Sequence, residues 1–237
     1  HQGDFTEVII YNSVVNLAQR NIISNYLSAK YSIAINAATN FYTQDEVAAG
    51  NFDHDVAGIG QATDGSNHTD SQGTGIVRIY NPSNLANDEY LFWGRDNKDD
   101  IVFETNEDNY QQRTSTKWRV SKRNDVGDVS FILDLSSIDL SSKEACSTLR
   151  LIVDNDSDLL SPTSAYNLVD IGGGLYKANN VVFSDNDYFA VEYQDLIVVD
   201  DTQYYNGSGD VNVPDLTNGC YKLLVKSTSN GSLALTE

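Results

Sequence analysis

Lys117-Trp-Arg-Val-Ser-Lys-Arg-Asn-Asp-Val-Gly-Asp-Val-Ser-Phe-Ile-Leu-Asp134, followed by the run from Leu135 to Asp158, decides the fold class. Two β-type runs alternate apolar and polar residues. A third, around Leu149 to Val153, ends in a staircase of acids, Asp154-Asn155-Asp156-Ser157-Asp158. Alternation at period two makes strands with one dry and one wet face. Carboxylates at every second position cannot face a core. They repel one another unless water or a hard cation sits among them.

Working outward, candidate strands lie at 55–59, 75–80, 90–94, 101–104, 116–122, 128–134, 148–153, 181–183, 188–193, 196–199, 221–227 and 232–236, with one more at 5–11. Asp/Asn/Gly-rich loops at 60–74, 81–89, 95–100, 105–112, 154–162 and 200–219 separate them. Short strands punctuated by turn residues predict an all-β chain, an antiparallel β-sandwich of jelly-roll type. A single amphipathic helix is expected near the N-terminus. Asn16 and Gln19 have capping-box spacing, and Ala18, Ile22, Tyr26 and Ala29 form one stripe.

Composition bounds the function. The 237 residues carry a formal net charge of −19, which repels phosphate backbones and anionic bilayers. No nucleic-acid partner and no membrane insertion are expected, and no apolar stretch reaches spanning length. The same charge attracts divalent cations or serves solubility alone, and both readings stand. Catalytic signatures are missing: there is no GxSxG elbow, no HExxH, no phosphate-binding loop around Gly58-x-Gly60, and no Glu-x-Asp-x-x-Glu. A non-enzymatic role is expected.

Candidate site residues follow from chemistry. Asp154, Asp156 and Asp158 offer oxygens at alternate loop positions to calcium, or make a solvated turn. Asp185 and Asp187 form a weaker second acidic loop. Asp53, His54 and Asp55 with His68 are a thinner transition-metal set, or a surface loop of hydrogen-bonded Asp and His. Arg113, Lys117, Arg119, Lys122 and Arg123 concentrate five of the fifteen basic residues in eleven positions. They read as cross-strand charge matching or as a patch for an acidic partner or anionic glycan. Trp93 and Trp118 have core-like neighbours. Cys146 and Cys220 either pair, closing a long loop worth about 4 kcal/mol, or stay as separate buried thiols.

Glu7-Val-Ile-Ile-Tyr-Asn12, the capped helix and Asn25-Tyr-Leu-Ser-Ala-Lys-Tyr-Ser-Ile-Ala-Ile35 together resemble the closing strand and helix of a laminin-G-like (concanavalin-type) jelly roll in Bacteroidetes surface proteins. Asp55–Gly60, Phe92-Trp93-Gly94, Lys117–Val120, Asp125–Val129 and Leu149–Asp158 follow in an order similar to a β-sandwich domain that succeeds such jelly rolls. Gln61-Ala62-Thr63-Asp64 departs from the usual basic-acidic step after the Gly-x-Gly. The resemblance implies type IX export, bacterial cell-surface display, and adhesion or gliding, and it brings no catalytic residues. The resemblance covers roughly residues 5–193 and implies two parts, 1–36, a jelly-roll end, and 37–199, a β-sandwich; 200–237 lies outside it and reads as a further small β unit or extension. The chain has no initiator Met and reads as a segment of a longer polypeptide or a mature product. The implied partners are other domains of the same polypeptide and a surface glycan or substratum. A lectin-like module and self-association by strand addition are the alternatives.

Overall fold

The computed structural model describes residues 6–96, 101–105, 112–140 and 147–194. Cys146, Cys220, the strands expected at 196–199, 221–227 and 232–236, and the unit expected at 200–237 lie outside the described residues. One α-helix, α1 (Leu17–Tyr31), precedes thirteen strands. These are β1 (His54–Gln61), β2 (Asn67–His68), β3 (Asp70–Ser71), β4 (Val77–Tyr80), β5 (Glu89–Arg95), β6 (Phe103–Thr105) and β7 (Gln112–Thr114). The remainder are β8 (Trp118–Arg123), β9 (Val129–Asp134), β10 (Thr148–Asp154), β11 (Ser164–Gly172), β12 (Leu175–Val181) and β13 (Tyr188–Gln194).

The fold is all-β, with one α-helix among the described residues. Its strands form one antiparallel sheet in the order β2-β1-β5-β8-β13-β10-β11-β12-β9-β4-β3, with β6 and β7 as a side branch on β13. The sheet is nearly closed, for β1 comes up against β3 and β4 from the opposite end of that order. Closure of this kind hides strand edges that would otherwise template aggregation.

Alternation assigns the faces. On β1, Ala57 and Ile59 point into the main core with Leu91, Trp93, Trp118, Val120, Phe131 and Phe189. Trp118 stacks on Phe189 at 5.5 Å, and Phe131 meets the same ring edge-on at 5.9 Å. Trp93 and Trp118 are thus core residues, 1% and 2% exposed. The outer face of the same strand carries Val56, Gly58 and Gly60. There Phe92 and Tyr90, cross-strand partners of the two glycines, lie flat under α1. A Cβ on Gly60 would come within 2.2 Å of the Tyr90 ring, and one on Gly58 within 2.7 Å of Phe92. The Gly-x-Gly is therefore a notch for two aromatic rings beneath a helix.

Helix α1 begins where the spacing predicts. Asn16 accepts from the Gln19 N–H at 2.8 Å, and the Gln19 side chain accepts from the Asn16 N–H at 3.0 Å. Its buried stripe runs through Ala18, Ile22, Asn25 and Ala29. Asn25 is buried in the stripe, whereas Tyr26, expected there, is half-buried. Asn25 donates to the Asn21 and Thr39 carbonyls and accepts from the Phe41 and Tyr42 N–H groups, all at 2.8–2.9 Å. This fastens the helix to the strand-like segment after it. Ala18, Ile22 and Ala29 share a core cluster with Val56, Tyr90 and Phe92, so the helix packs directly on the sheet.

Two expectations about elements change. Residues 5–11, read as a strand, contribute no strand in the described part, 6–11: the apolar run is present, but no strand among the described residues pairs with it. The region 163–180, assigned to neither strand nor loop ahead of a short strand expected at 181–183, is the hairpin β11–β12 turning on Gly172-Gly173-Gly174, all at positive φ. Most of β11 is exposed, so backbone pairing with β10 and β12 holds it where side-chain burial gives little signal.

Candidate functional site

The acid staircase sits at the end of β10, on the outer side of the sheet beside β13. Ile152 and Ala190 pack there with Leu159, so the loop 155–160 is pinned over the sheet by its own leucine. Asp154 is the last residue of β10 and pairs with Tyr188. It is 3% exposed, whereas Asp156 and Asp158 are open to solvent. One carboxylate oxygen from each of the three lies within 4.8 Å of the others.

The hydrogen bonds divide unevenly. Asp156 Oδ1 accepts from the Asp158 and Leu159 N–H groups at 3.1 and 3.3 Å, and Asp158 Oδ1 from Leu160 N–H at 2.8 Å. These are Asx-turn bonds that shape the loop. The Leu160 N–H, ahead of the nearby Lys117 and Arg113 charges, holds the Asp158 carboxyl below the usual carboxylate range. Asp154 Oδ1 accepts from Asn155 N–H at 2.9 Å and the Thr163 hydroxyl at 3.3 Å. Its Oδ2 is buried with no hydrogen-bond partner. A buried carboxylate oxygen left bare costs free energy on the order of 1–3 kcal/mol or more.

Beside this loop lies an ion network that sequence reasoning missed. Glu192, 1% exposed on the outer face of β13, accepts from Arg113 at 3.0 and 3.1 Å and from Arg150 Nε at 2.6 Å. Arg113, itself 6% exposed, also donates to the Asp158 and Leu159 carbonyls at 2.9 and 2.7 Å. The Lys117 ammonium donates to the Ser157 carbonyl. The legible signal was a single charge of opposite sign in each of three neighbouring β runs: Arg113, Arg150 in Leu-Arg-Leu, and Glu192 in Val-Glu-Tyr.

The basic run does not assemble into one patch. Arg113 and Lys117 serve the staircase loop. Arg119 lies over the Tyr188 ring at 4.5 Å and donates to the Ala49 carbonyl. Lys122 binds Asp125 at 2.7 Å and the Phe183 carbonyl at 2.9 Å. Arg123 pairs with Asp88 and covers Phe41 at 4.9 Å. Each is engaged within the protein, for β8 alternates these side chains between two faces and different neighbours.

The second acidic loop spends its carboxylates on turn geometry. Asp185 accepts from Lys122 N–H at 2.8 Å, and Asp187 from Ser184 N–H at 2.6 Å. Burial pushes the Asp187 carboxyl up; the Ser184 bond opposes this, and the negative charge of Asp154 adds to it. The histidines do not converge. His54 pairs with Asp53 at 2.7 Å at the start of β1, while His68 lies opposite Gly60 near the other end.

A second feature lies N-terminal to the helix. Residues 6–15 form a ribbon with no backbone-to-backbone hydrogen bond among the described residues. Glu7, Ile9, Tyr11, Ser13 and Val15 line a cleft of about 440 Å³ against Ile22, Ile23 and Tyr26 of α1 and Val56, His68 and Thr74 of the sheet side. The intervening Val8, Ile10 and Val14 point to solvent, 69%, 88% and 97% exposed. Glu7 ties the ribbon to the helix through Lys30 at 2.9 Å and Tyr31 at 2.8 Å.

A family model described as a domain of unknown function (DUF8202) matches residues 19–187. No curated protein and no solved structure matches the chain. The matched span contains strands β1 to β12, most of the helix, both acidic loops and the basic run, but neither β13 nor the ribbon.

Proposed function

The chain belongs to the DUF8202 family, and we propose that it is a non-enzymatic structural or adhesion module of a large secreted bacterial cell-surface protein, joined to its neighbour by strand addition. The observation that carries this reading is the ribbon 6–15. It is apolar on both faces, as strands buried between two layers are, yet its outward face is in water and its N–H and C=O groups have no ladder. A sheet edge with an apolar layer behind it satisfies both needs at once. The occupant that fits is a β-domain of the same polypeptide. The ribbon lies outside the family-matched span and runs straight into the N-cap of α1, so a covalent neighbour meets it at high effective concentration. A second copy brings another −19 of charge to the contact. The buried acid and bases of the sheet's outer face support a structural role, since Glu192, Arg113 and Arg150 neutralise one another.

The test is amide hydrogen exchange of residues 6–15 in the isolated chain and in the intact cellular polypeptide, with protease shaving of whole cells. Protection that rises at least tenfold in the intact polypeptide, with this chain's peptides shaved from live cells, is the expected result. Equal exchange in both settings, or protection that tracks dimerisation of the isolated chain, overturns the covalent-neighbour reading. Peptides released only after lysis overturn surface display.

A further inference from the structure

We infer that the Asp154 loop is a calcium site, with Asp154, Asp156 and Asp158 as its protein carboxylates. The inference stands apart from whatever the ribbon pairs with. Three observations carry it. The carboxylates converge, one oxygen of each within 4.8 Å of the others. Asp154 is 97% buried by its 3% exposure, and its Oδ2 has no hydrogen-bond donor although the Thr163 hydroxyl and the Asn155 N–H sit on Oδ1. Desolvating an anionic oxygen without a donor is costly, and a hard cation removes that cost where a further hydrogen bond is not supplied.

Charge gives the third. Arg113 and Arg150 are both directed at Glu192. With Asp187 close enough to Asp154 to feel its charge, and Asp185 and Lys122 acting on Asp187 in turn, the neighbourhood holds six acids, Asp154, Asp156, Asp158, Asp185, Asp187 and Glu192, against four bases, Arg113, Arg150, Lys117 and Lys122. Two negative charges are left over, which a divalent ion balances. Lys117 is the natural rival for this role, and its ammonium lies on the Ser157 carbonyl of the same loop. One ammonium offsets only part of three converging carboxylates.

The loop is also ordered in advance. Asx-turn bonds from Asp156 and Asp158 and the anchoring of the Asp158 and Leu159 carbonyls by Arg113 fix the backbone, so binding orders little that is free. Three carboxylates supply part of the six to eight oxygens calcium takes, and water reaches the exposed sides of Asp156 and Asp158 for the rest. An oxygen-only set with this incomplete protein cage places the expected Kd at about 10⁻⁴–10⁻³ M, the class of extracellular modules.

The experiment is calorimetric titration of the EDTA-treated, desalted full chain with calcium chloride, and with magnesium chloride in parallel, alongside thermal unfolding. One calcium site and a raised unfolding midpoint are expected, with magnesium weaker. The paired substitution D156N/D158N keeps an amide oxygen for each Asx-turn bond and removes like-charge repulsion, so its midpoint in EDTA is no lower than that of wild type, and it weakens calcium at least tenfold. D154N loses the calcium-dependent rise in midpoint while the metal-free chain stays at least as stable as wild type. No heat and no midpoint shift through about 10 mM calcium, well above the expected range, overturns the site, as does calcium affinity undiminished in D156N/D158N.

Discussion

The outer face of one sheet is covered in two different ways. Over β1 and β5 the cover is helix α1, and the surface beneath is dry: Val56, Tyr90 and Phe92 with glycines between them. Over β10 and β13 the cover is the loop after Asp154, and the surface beneath mixes Ile152 and Ala190 with an Arg113–Glu192–Arg150 triad. The inward faces of these four strands carry the same kind of apolar residue. The contrast teaches that a strand's inward side chains record only that a core exists, whereas its outward side chains record what lies on top. A helix brings a stripe of apolar side chains and needs a flat, notched floor. A loop brings backbone carbonyls and needs cations fixed beneath it.

The largest effect is expected on the ionic side. Glu192→Ala leaves Arg113 buried without its carboxylate and should cost about 3–5 kcal/mol. Denaturant unfolding measures this, and the comparison breaks if the loss is below about 1 kcal/mol, the range of exposed pairs. Replacing Glu192 and both arginines by apolar residues of similar volume should restore much of the loss, because the pair's desolvation goes with it.

On the dry side, Gly60→Ala forces a Cβ to within 2.2 Å of the Tyr90 ring and 2.6 Å of the Glu89 carbonyl. Overpacking of this kind costs about 1–3 kcal/mol. The same unfolding measurement reads it, and a neutral result would mean that the helix does not press Tyr90 onto β1. Tyr90→Leu in the same chain should recover part of the cost.

The smallest effect sharpens the contrast between buried and half-exposed ion pairs. Asp55 sits at a β-bulge in the left-handed region, φ 51°, and its carboxylate receives Thr74 and Arg95 at 2.6 Å each. Burial opposes ionisation there, but Thr74 and Arg95 outweigh it and hold the carboxyl below its ordinary value. A folded-state pKa below the unfolded one stabilises above the unfolded value, about 3.9, and the contribution fades as pH falls through the folded one. Asp55→Asn should therefore flatten the acid limb of the stability curve below about pH 4 and leave its shape from pH 5 to 7 unchanged. Parallel acid limbs in both chains would remove the pair from the ledger of the helix-covered side.

Much of the sheet was legible. Strands β1, β4, β5, β8, β9, β10 and β13 announce themselves as short apolar runs between turn residues; β4 and β9 bury alternate residues, whereas β1 and β5 are buried on both faces because α1 covers their outer side. The hairpin β11–β12 does not, since Leu168 is the one buried residue of β11 and its register comes from pairing with β10. The first apolar run reads as a strand and is paired with nothing among the described residues, for alternation reports a tendency and not a partner. The acid staircase was legible as a cluster. That Asp154 is buried while Asp156 and Asp158 are not was hidden, because it depends on Thr163 and on Tyr188 of β13 arriving beside it.

The sequence by itself determined the class of the fold, the helix start at Asn16 and the convergence of acids after Val153, since these rest on spacing between near neighbours along the chain. Only the tertiary structure decided that Gly58 and Gly60 seat two rings, that Glu192 is shared by Arg113 and Arg150, and that one oxygen of Asp154 is buried without a donor. Those are contacts between residues dozens of positions apart, set by sheet order and register, and no local pattern along the chain encodes which strand becomes whose neighbour.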